Sequence, residues 1–456
     1  MSELRKNFFW GNSTSSMQTE GAWDEGGKGK SVYDIRPATA EVSDWKNGID
    51  EYHRYKEDFD LMKEMGMNFF RFQISWSRVQ PDGEGKFNEE GIQFYSEFIN
   101  ELLKRKITPM ICLYHFDMPL ALSEKYNGFL SRKVSDLFVK FGIEMVKRFG
   151  DRVKYWITFN EQNLYNQLGA STFAGNKNVP EDINVVYQIA HNVMMAHAQI
   201  ANYIHAHTDC EIGGMLAYTE VYPATARPRD IQVAREIQEF SNNNLLDVFA
   251  QGHYSKAVLK HIENYQINAG IKNGDFNILS QCHSDYMCFS YYRSTVVNSE
   301  KIPENCSVDD YLKYGGEANP YVKKTPNYGW EIDSLGFRDI LNKIYHQYQI
   351  PVFPIENGIG VQEKYYGKEI QDDYRINYMR AHIQALKDAV EKDGVDVLGY
   401  LGWGLIDIPS SAGDMRKRYG VVYVNRTNHD LKDMKRIPKK SFYWLKSAIG
   451  SNGKDL

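Results

Sequence analysis

The sequence predicts a closed (β/α)8 TIM barrel of the α/β class, built as a single domain over residues 1–456 with long loops after its strands. Three observations lead there. Short apolar runs alternate with longer stretches of helical periodicity, as parallel strands joined by crossover helices do. Eight such runs can be counted, enough to close a barrel whose functional end is the carboxyl end of its strands. No Ser/Gly/Pro-rich linker, charge block, low-complexity stretch or fixed-period repeat divides the chain.

The elements follow in order. Residues 8–16 form the first strand. A helical stretch over 52–65 stops at Gly66, and residues 68–74 (NFFRFQI) are the second strand. A helix over 94–104 precedes the third strand, 107–115 (ITPMICLYH). The next helix, 135–149, spaces its apolar residues by three and four, and 153–160 (VKYWITFN) is the fourth strand. Strands at 211–218, 284–291, 350–356 and 397–405 complete the set, with helices near 186–205, 337–348 and 374–393 between most of them.

Composition narrows the function classes. The net charge of −5 is spread along the chain with no basic stripe, which argues against a nucleic-acid partner. No run approaches the roughly 18 apolar residues of a membrane span. The apolar run Phe8-Phe9-Trp10 after the first basic residues is too short for a signal peptide and is ended by Asn12, Ser13 and Thr14. The five cysteines are odd in number, scattered and without zinc spacing, so they read as reduced thiols of a cytoplasmic protein. The many Tyr, Phe and Trp residues serve either the core or the apolar faces of sugar rings; composition does not separate the two uses.

Chemistry-bearing residues gather at the strand ends. The first strand leads to Gln18 and Glu20, the second carries Arg71, and the third ends at His115 and Asp117. The fourth ends at Asn160-Glu161, the sixth at Tyr291-Tyr292 and the seventh at Glu356-Asn357, while the eighth carries Trp403. Taken singly, a strand-end Glu is a surface or salt-bridge residue, Arg71 an ion-pair member, His115 a core histidine and Trp403 packing. Taken together in a barrel they meet at one mouth. Two carboxylates facing each other there suit glycoside hydrolysis: one donates a proton to the leaving oxygen, the other attacks the anomeric carbon. Arg71 beside Glu356 would favour its ionised form; Glu161 needs a raised pKa, from burial and from the charge of Glu356.

Thr158-Phe159-Asn160-Glu161 and Ile355-Glu356-Asn357-Gly358 resemble the two signatures of glycoside hydrolase family one. Phe9-Trp10-Gly11 running into Gln18-Thr19-Glu20-Gly21, and the stretch Arg71-Phe72-Gln73-Ile74-Ser75-Trp76-Ser77-Arg78, extend the likeness nearly end to end. The resemblance implies Glu161 as acid/base and Glu356 as nucleophile of a retaining enzyme. It implies Asn160 at the sugar 2-hydroxyl, Gln18 and His115 at hydroxyls further round the ring, and Arg71 and Tyr292 orienting Glu356. It places Trp403 under the glycone and Trp330 on the aglycone side. The sequence departs from the family at Phe116, where Trp is usual, and at Ser290, where Asn is usual; neither removes a catalytic group.

After the eighth strand the family's β-glucosidases carry a Glu that holds the sugar 4- and 6-hydroxyls; here Pro409 and Ser410 stand in that place. The segment supplies instead Ser411 (Ser410 as the alternative), Lys417 and Tyr419, donors and a cation that suit a phosphate. This resembles the Ser…Lys-x-Tyr pattern of the family's 6-phospho-β-glycosidases. The missing Trp beside the first Ser leans towards a gluco- rather than a galacto-configured sugar, and Pro409 departs from that pattern too. The expectation is therefore a cytoplasmic 6-phospho-β-glucosidase acting on a small phosphorylated β-glucoside, with no metal and no organic cofactor. Its rivals are a β-glucosidase of unphosphorylated sugar, a 6-phospho-β-galactosidase, a transglycosylase and a barrel that binds glycosides without cleaving them.

Overall fold

A computed structural model describes residues 4–456. Eight strands close a parallel barrel: β1 (Phe9–Ser13), β2 (Phe69–Gln73), β3 (Thr108–Tyr114), β4 (Tyr155–Phe159), β5 (Glu211–Ala217), β6 (Tyr286–Tyr291), β7 (Val352–Asn357) and β8 (Gly399–Trp403). Each neighbours the next in sequence, and β1 pairs with β8 over its whole length, Phe9 opposite Gly399 and Ser13 opposite Trp403. All eight fall on the runs read from the sequence.

Strand periodicity sorts the side chains. On β2, Phe69, Arg71 and Gln73 face the barrel interior, while Phe70 and Phe72 pack outward against the helical layer. The lower interior is filled by Phe69, Ile157, Tyr286, Phe353 and Leu401, with Phe9 and Phe69 rings 4.5 Å apart. Polar residues replace this apolar plug only near the carboxyl ends, which is where a buried charge such as Arg71 can find partners.

The outer layer contains α1 (Glu51–Glu64), α2 (Glu89–Lys104), α3 (Arg132–Phe149), α4 (Ile183–His207), α5 (Asn244–Gln251), α6 (Ser334–Tyr348), α7 (Asp373–Glu391) and α8 (Lys440–Gly450). Six of them fall on the helical stretches read from the sequence. Two belong to regions where no helix was expected. Between β5 and β6 the chain forms Pro228–Gln238, a π-helical turn Glu239–Asn243, α5 and then Lys256–Asn264. At the carboxyl end, α8 packs on α7. All five cysteines are free thiols, four of them buried. No helix among the described residues is long and apolar enough to cross a membrane.

Candidate active site

Two backbone irregularities aim the paired carboxylates. Glu161 stands two residues past the end of β4, after Asn160, and takes a left-handed conformation, φ 43°, costly for a residue with a side chain and characteristic of functional sites. On β7 the register against β6 slips between Pro354 and Glu356, leaving Ile355 as the extra residue just after a proline that has no N–H to give. Glu356 therefore stands opposite Ser290.

Arg71, with no exposed surface, organises the mouth. Its Nη1 donates to Glu356 Oε1 at 2.8 Å, and its Nη2 donates to Asn160 Oδ1 at 2.7 Å. The Tyr292 hydroxyl donates to the other Glu356 oxygen, Oε2, at 3.0 Å. Glu356 is thus held by two donors, one of them charged, an arrangement that grips a carboxylate. Ser290 Oγ donates to Glu161 Oε1 at 2.5 Å. The residue that departs from the usual Asn is therefore a direct partner of Glu161, a role the sequence did not reveal.

Burial is the largest influence on both carboxyls. It pushes Glu356 up to about 8, against the pull of Arg71, with the charge of Glu161 adding to the rise. It raises Glu161 as well, opposed by the Ser290 hydrogen bond and by Arg71. Arg71 favours the ionised form of Glu356, the direction expected, but desolvation of a carboxylate 3% exposed outweighs that one guanidinium.

The remaining ring-binding candidates converge on the same mouth. His115 stacks on Trp403 with centroids 5.5 Å apart, and burial and Arg71 keep it well below the usual histidine range, hence neutral. His115 Nδ1 and Asn160 Nδ2 are buried without hydrogen-bond partners, as groups awaiting sugar hydroxyls would be. Gln18 donates through Nε2 to the Pro409 carbonyl at 2.7 Å, tying the first loop to the segment after β8. Glu20 and Asp117 turn out to be framework. Glu20 pairs with Arg78 at 2.8 Å and accepts from Tyr95, and Asp117 accepts from Gln73 and Ser16. Asn357 is framework too, bonded to the Tyr291 carbonyl and to the Tyr378 and Tyr400 hydroxyls.

Beside this cluster stands the segment read as a phosphate site. Lys417 Nζ lies 3.5 Å from the Trp330 ring centroid, 4.6 Å from Tyr328 and 5.4 Å from Tyr419. Trp330, expected on the aglycone side, is thus also a wall of the lysine cage, and it reaches Tyr292 at 5.7 Å. Burial and the nearby Arg293 lower the Lys417 ammonium to about 8, with Asp414 pulling the other way. Among the described residues no carboxylate lies within ion-pair distance of Lys417. The two serines differ. Ser410 is buried and its hydroxyl accepts the Asp414 N–H at 3.2 Å, whereas Ser411 is exposed on the turn and makes no side-chain hydrogen bond among the described residues. No group of three or more His, Cys, Asp or Glu among the described residues is placed to hold a metal ion.

Residues 1–454 match the model of glycosyl hydrolase family 1. The chain is 41% identical to an aryl-phospho-beta-D-glucosidase of Bacillus subtilis (strain 168), covering 100% of both chains. It is 37% identical to a 6-phospho-beta-glucosidase of Clostridium longisporum, covering 99% of this chain and 98% of that one. Among solved structures, the family 1 β-glucosidase of Thermotoga maritima superposes with a TM-score of 0.86 at 30% identity, covering 99% of this chain and 98% of that one.

Proposed function

The chain belongs to glycosyl hydrolase family 1, and within that family we propose that it hydrolyses β-glucosides phosphorylated at the 6-position, with retention. Glu161 gives its proton to the glycosidic oxygen while Glu356 attacks the anomeric carbon. The bond to the aglycone breaks and a glycosyl ester forms on Glu356. Esterification removes the charge of Glu356, so Glu161 then holds its negative charge more readily. It takes a proton from the water that cleaves the ester. Arg71 and Tyr292 fix the Glu356 carboxylate throughout, and Asn160 Nδ2 and His115 Nδ1 are free to meet ring hydroxyls.

The observation that carries the phosphate reading is the unpaired Lys417 ammonium in its aromatic cage, beside the Glu356–Tyr292 pair. A buried cation without a protein anion suits an anionic ligand group. Tyr419 and Ser411 are the further phosphate donors in this reading. The names of the Bacillus and Clostridium relatives support it, and so does the missing carboxylate at Pro409. A phosphorylated glycoside is a substrate of the cell interior, so we place the enzyme in the cytoplasm, with residues 1–456 as one catalytic domain. The test is the rate on p-nitrophenyl β-glucoside with and without a 6-phosphate. Preference for the phosphorylated compound is expected; preference for the unphosphorylated one restores the plain β-glucosidase.

A further inference from the structure

Outside the catalytic cluster, a cavity of about 370 Å³ opens between α4, the Pro228–Gln238 helix, α5 and the Lys256–Asn264 helix. Its walls are mainly apolar, with Met194, Leu245, Val258 and Ile262 among them, and none of Arg71, Glu161, Tyr292, Glu356 or Lys417 lines it. Three features set it apart from a packing defect. The volume is that of a small-molecule site, far above the voids a close-packed interior leaves. One wall is the π-helical turn Glu239–Asn243, which contributes Phe240 and Ser241, and such turns recur at functional sites. Finally, Gln162, 2% exposed, lines the cavity with its Oε1 unpartnered while its Nε2 is spent on Met194 Sδ at 3.4 Å.

Two further polar groups on the wall, His191 and Asp309, are already engaged. His191 is bonded at both ring nitrogens, to Tyr254 and Asp275. Asp309 accepts from Tyr187 and Ser307 and pairs with His261. What the cavity offers a ligand is therefore mainly apolar surface plus one buried, unpartnered acceptor, and its wall carries two carboxylates, Asp309 and Asp310, against one ammonium, Lys313, a balance that disfavours anions. We propose that it binds a neutral aryl alcohol whose hydroxyl donates to Gln162 Oε1. The site touches the chemistry through the backbone: Gln162 directly follows Glu161, and Asn166 and Leu168 of the same loop also line the cavity. An occupant braces the segment that holds Glu161 in its left-handed conformation, so it acts on kcat and not on substrate affinity.

The test uses 2-naphthol, whose fluorescence reports its surroundings, with the whole enzyme. Saturable binding at one site per chain is expected, weakened when 2-methoxynaphthalene replaces it because the ether cannot donate. Ala190→Trp, which fills the cavity from α4, should abolish that binding and leave hydrolysis intact. Should that variant not fold, Ile262→Trp, at a partly exposed wall position, serves the same purpose. In wild-type kinetics 2-naphthol should change kcat with KM unmoved. Absence of saturable binding, unchanged binding in a folded filled variant, or competition with the substrate would each overturn the site.

Discussion

Glu161 and Glu356 share a buried mouth, yet their partners differ in kind. A guanidinium and a phenol both donate to Glu356, and a single hydroxyl donates to Glu161. Replacing Glu161 by Gln tests the roles of the two. Ionised Glu161 helps to raise Glu356, whereas protonated Glu161, like Gln, adds no charge. The acid limb of kcat/KM on an activated aryl glycoside, which follows ionisation of Glu356 while Glu161 still holds its proton, should stay in place, because Gln is neutral as the protonated acid is. The alkaline limb, which follows loss of the Glu161 proton, should disappear. Glycosides with poor leaving groups should lose on the order of 10²–10⁴ in rate, while activated ones still form the intermediate and stall before hydrolysis. Equal losses on both substrate types, with the alkaline limb retained, would count against the assignment. Glu356→Gln should abolish turnover on either type, since an amide cannot form the ester; retained activity would remove Glu356 from the nucleophile role.

At the scale of elements, the proposed phosphate end depends on two short strands. Val361–Gln362 pairs antiparallel with Lys417–Arg418, bringing the chain just after β7 against the chain after β8. Arg375 of α7 pins the second strand from beneath, donating to the Tyr419 and Arg418 carbonyls while pairing with Glu363 and Asp372. Gly360 permits the approach: a Cβ there would lie 2.6 Å from Lys417 Cε and 3.0 Å from Tyr419 Cζ. Gly360→Ala should therefore push Lys417 aside and mimic Lys417→Ala. Each should cost a 6-phospho-β-glucoside about 1.5–3 kcal/mol, the range for a hydrogen bond to a charged group, which is roughly one to two decades in kcat/KM. The unphosphorylated analogue should be nearly unaffected. A Gly360→Ala enzyme that lost both substrates alike would instead report a misfolded loop. This arrangement was only half legible in the sequence. Lys417 and Tyr419 could be read as neighbours, but the cage also needs Tyr328 and Trp330, which lie on a loop before α6 and reach Lys417 only through the fold. The eight strands were legible because each is a short apolar run, most of them with a polar residue at or just past the carboxyl end. The helices between β5 and β6 were not, because a π-turn interrupts their periodicity and much of Lys256–Asn264 faces solvent. Ser290 was visible only as a departure from a pattern, since its bond to Glu161 joins β6 to β4 across the barrel.

The whole molecule is closed by joining its two ends. β1 pairs with β8, Trp10 Nε1 donates to Asn452 Oδ1 at 2.9 Å, and Arg436 grips Asp58 of α1 through bonds of 2.7 and 2.9 Å while donating to the Ile49 carbonyl. Glu51 lies in this clasp, 4% exposed at the first turn of α1. Burial, with Asp58 and Glu20 adding to it, pushes its carboxyl up to about 8 against the Thr19 hydrogen bond and Arg436. The sign of the consequence follows from proton counts. Between the ordinary carboxyl value near 4.5 and about 8, the folded chain holds a proton on Glu51 that the unfolded chain has released. Stability therefore falls as pH rises through that window, being fully present below it. Glu51→Gln keeps the shape of the protonated acid and has no proton to lose. Its urea midpoint should match wild type near pH 4.5 and exceed it by a growing margin up to about pH 8, where the difference levels off. The margin should reach on the order of a few kcal/mol, since each pKa unit corresponds to about 1.4 kcal/mol. Other buried carboxyls, Glu356 among them, give the wild type a slope of the same sign, so the difference between the two proteins isolates Glu51. A difference that stayed constant from pH 4.5 to 8 would mean that Glu51 is ionised in the folded clasp, paired with Arg436 in place of a buried acid.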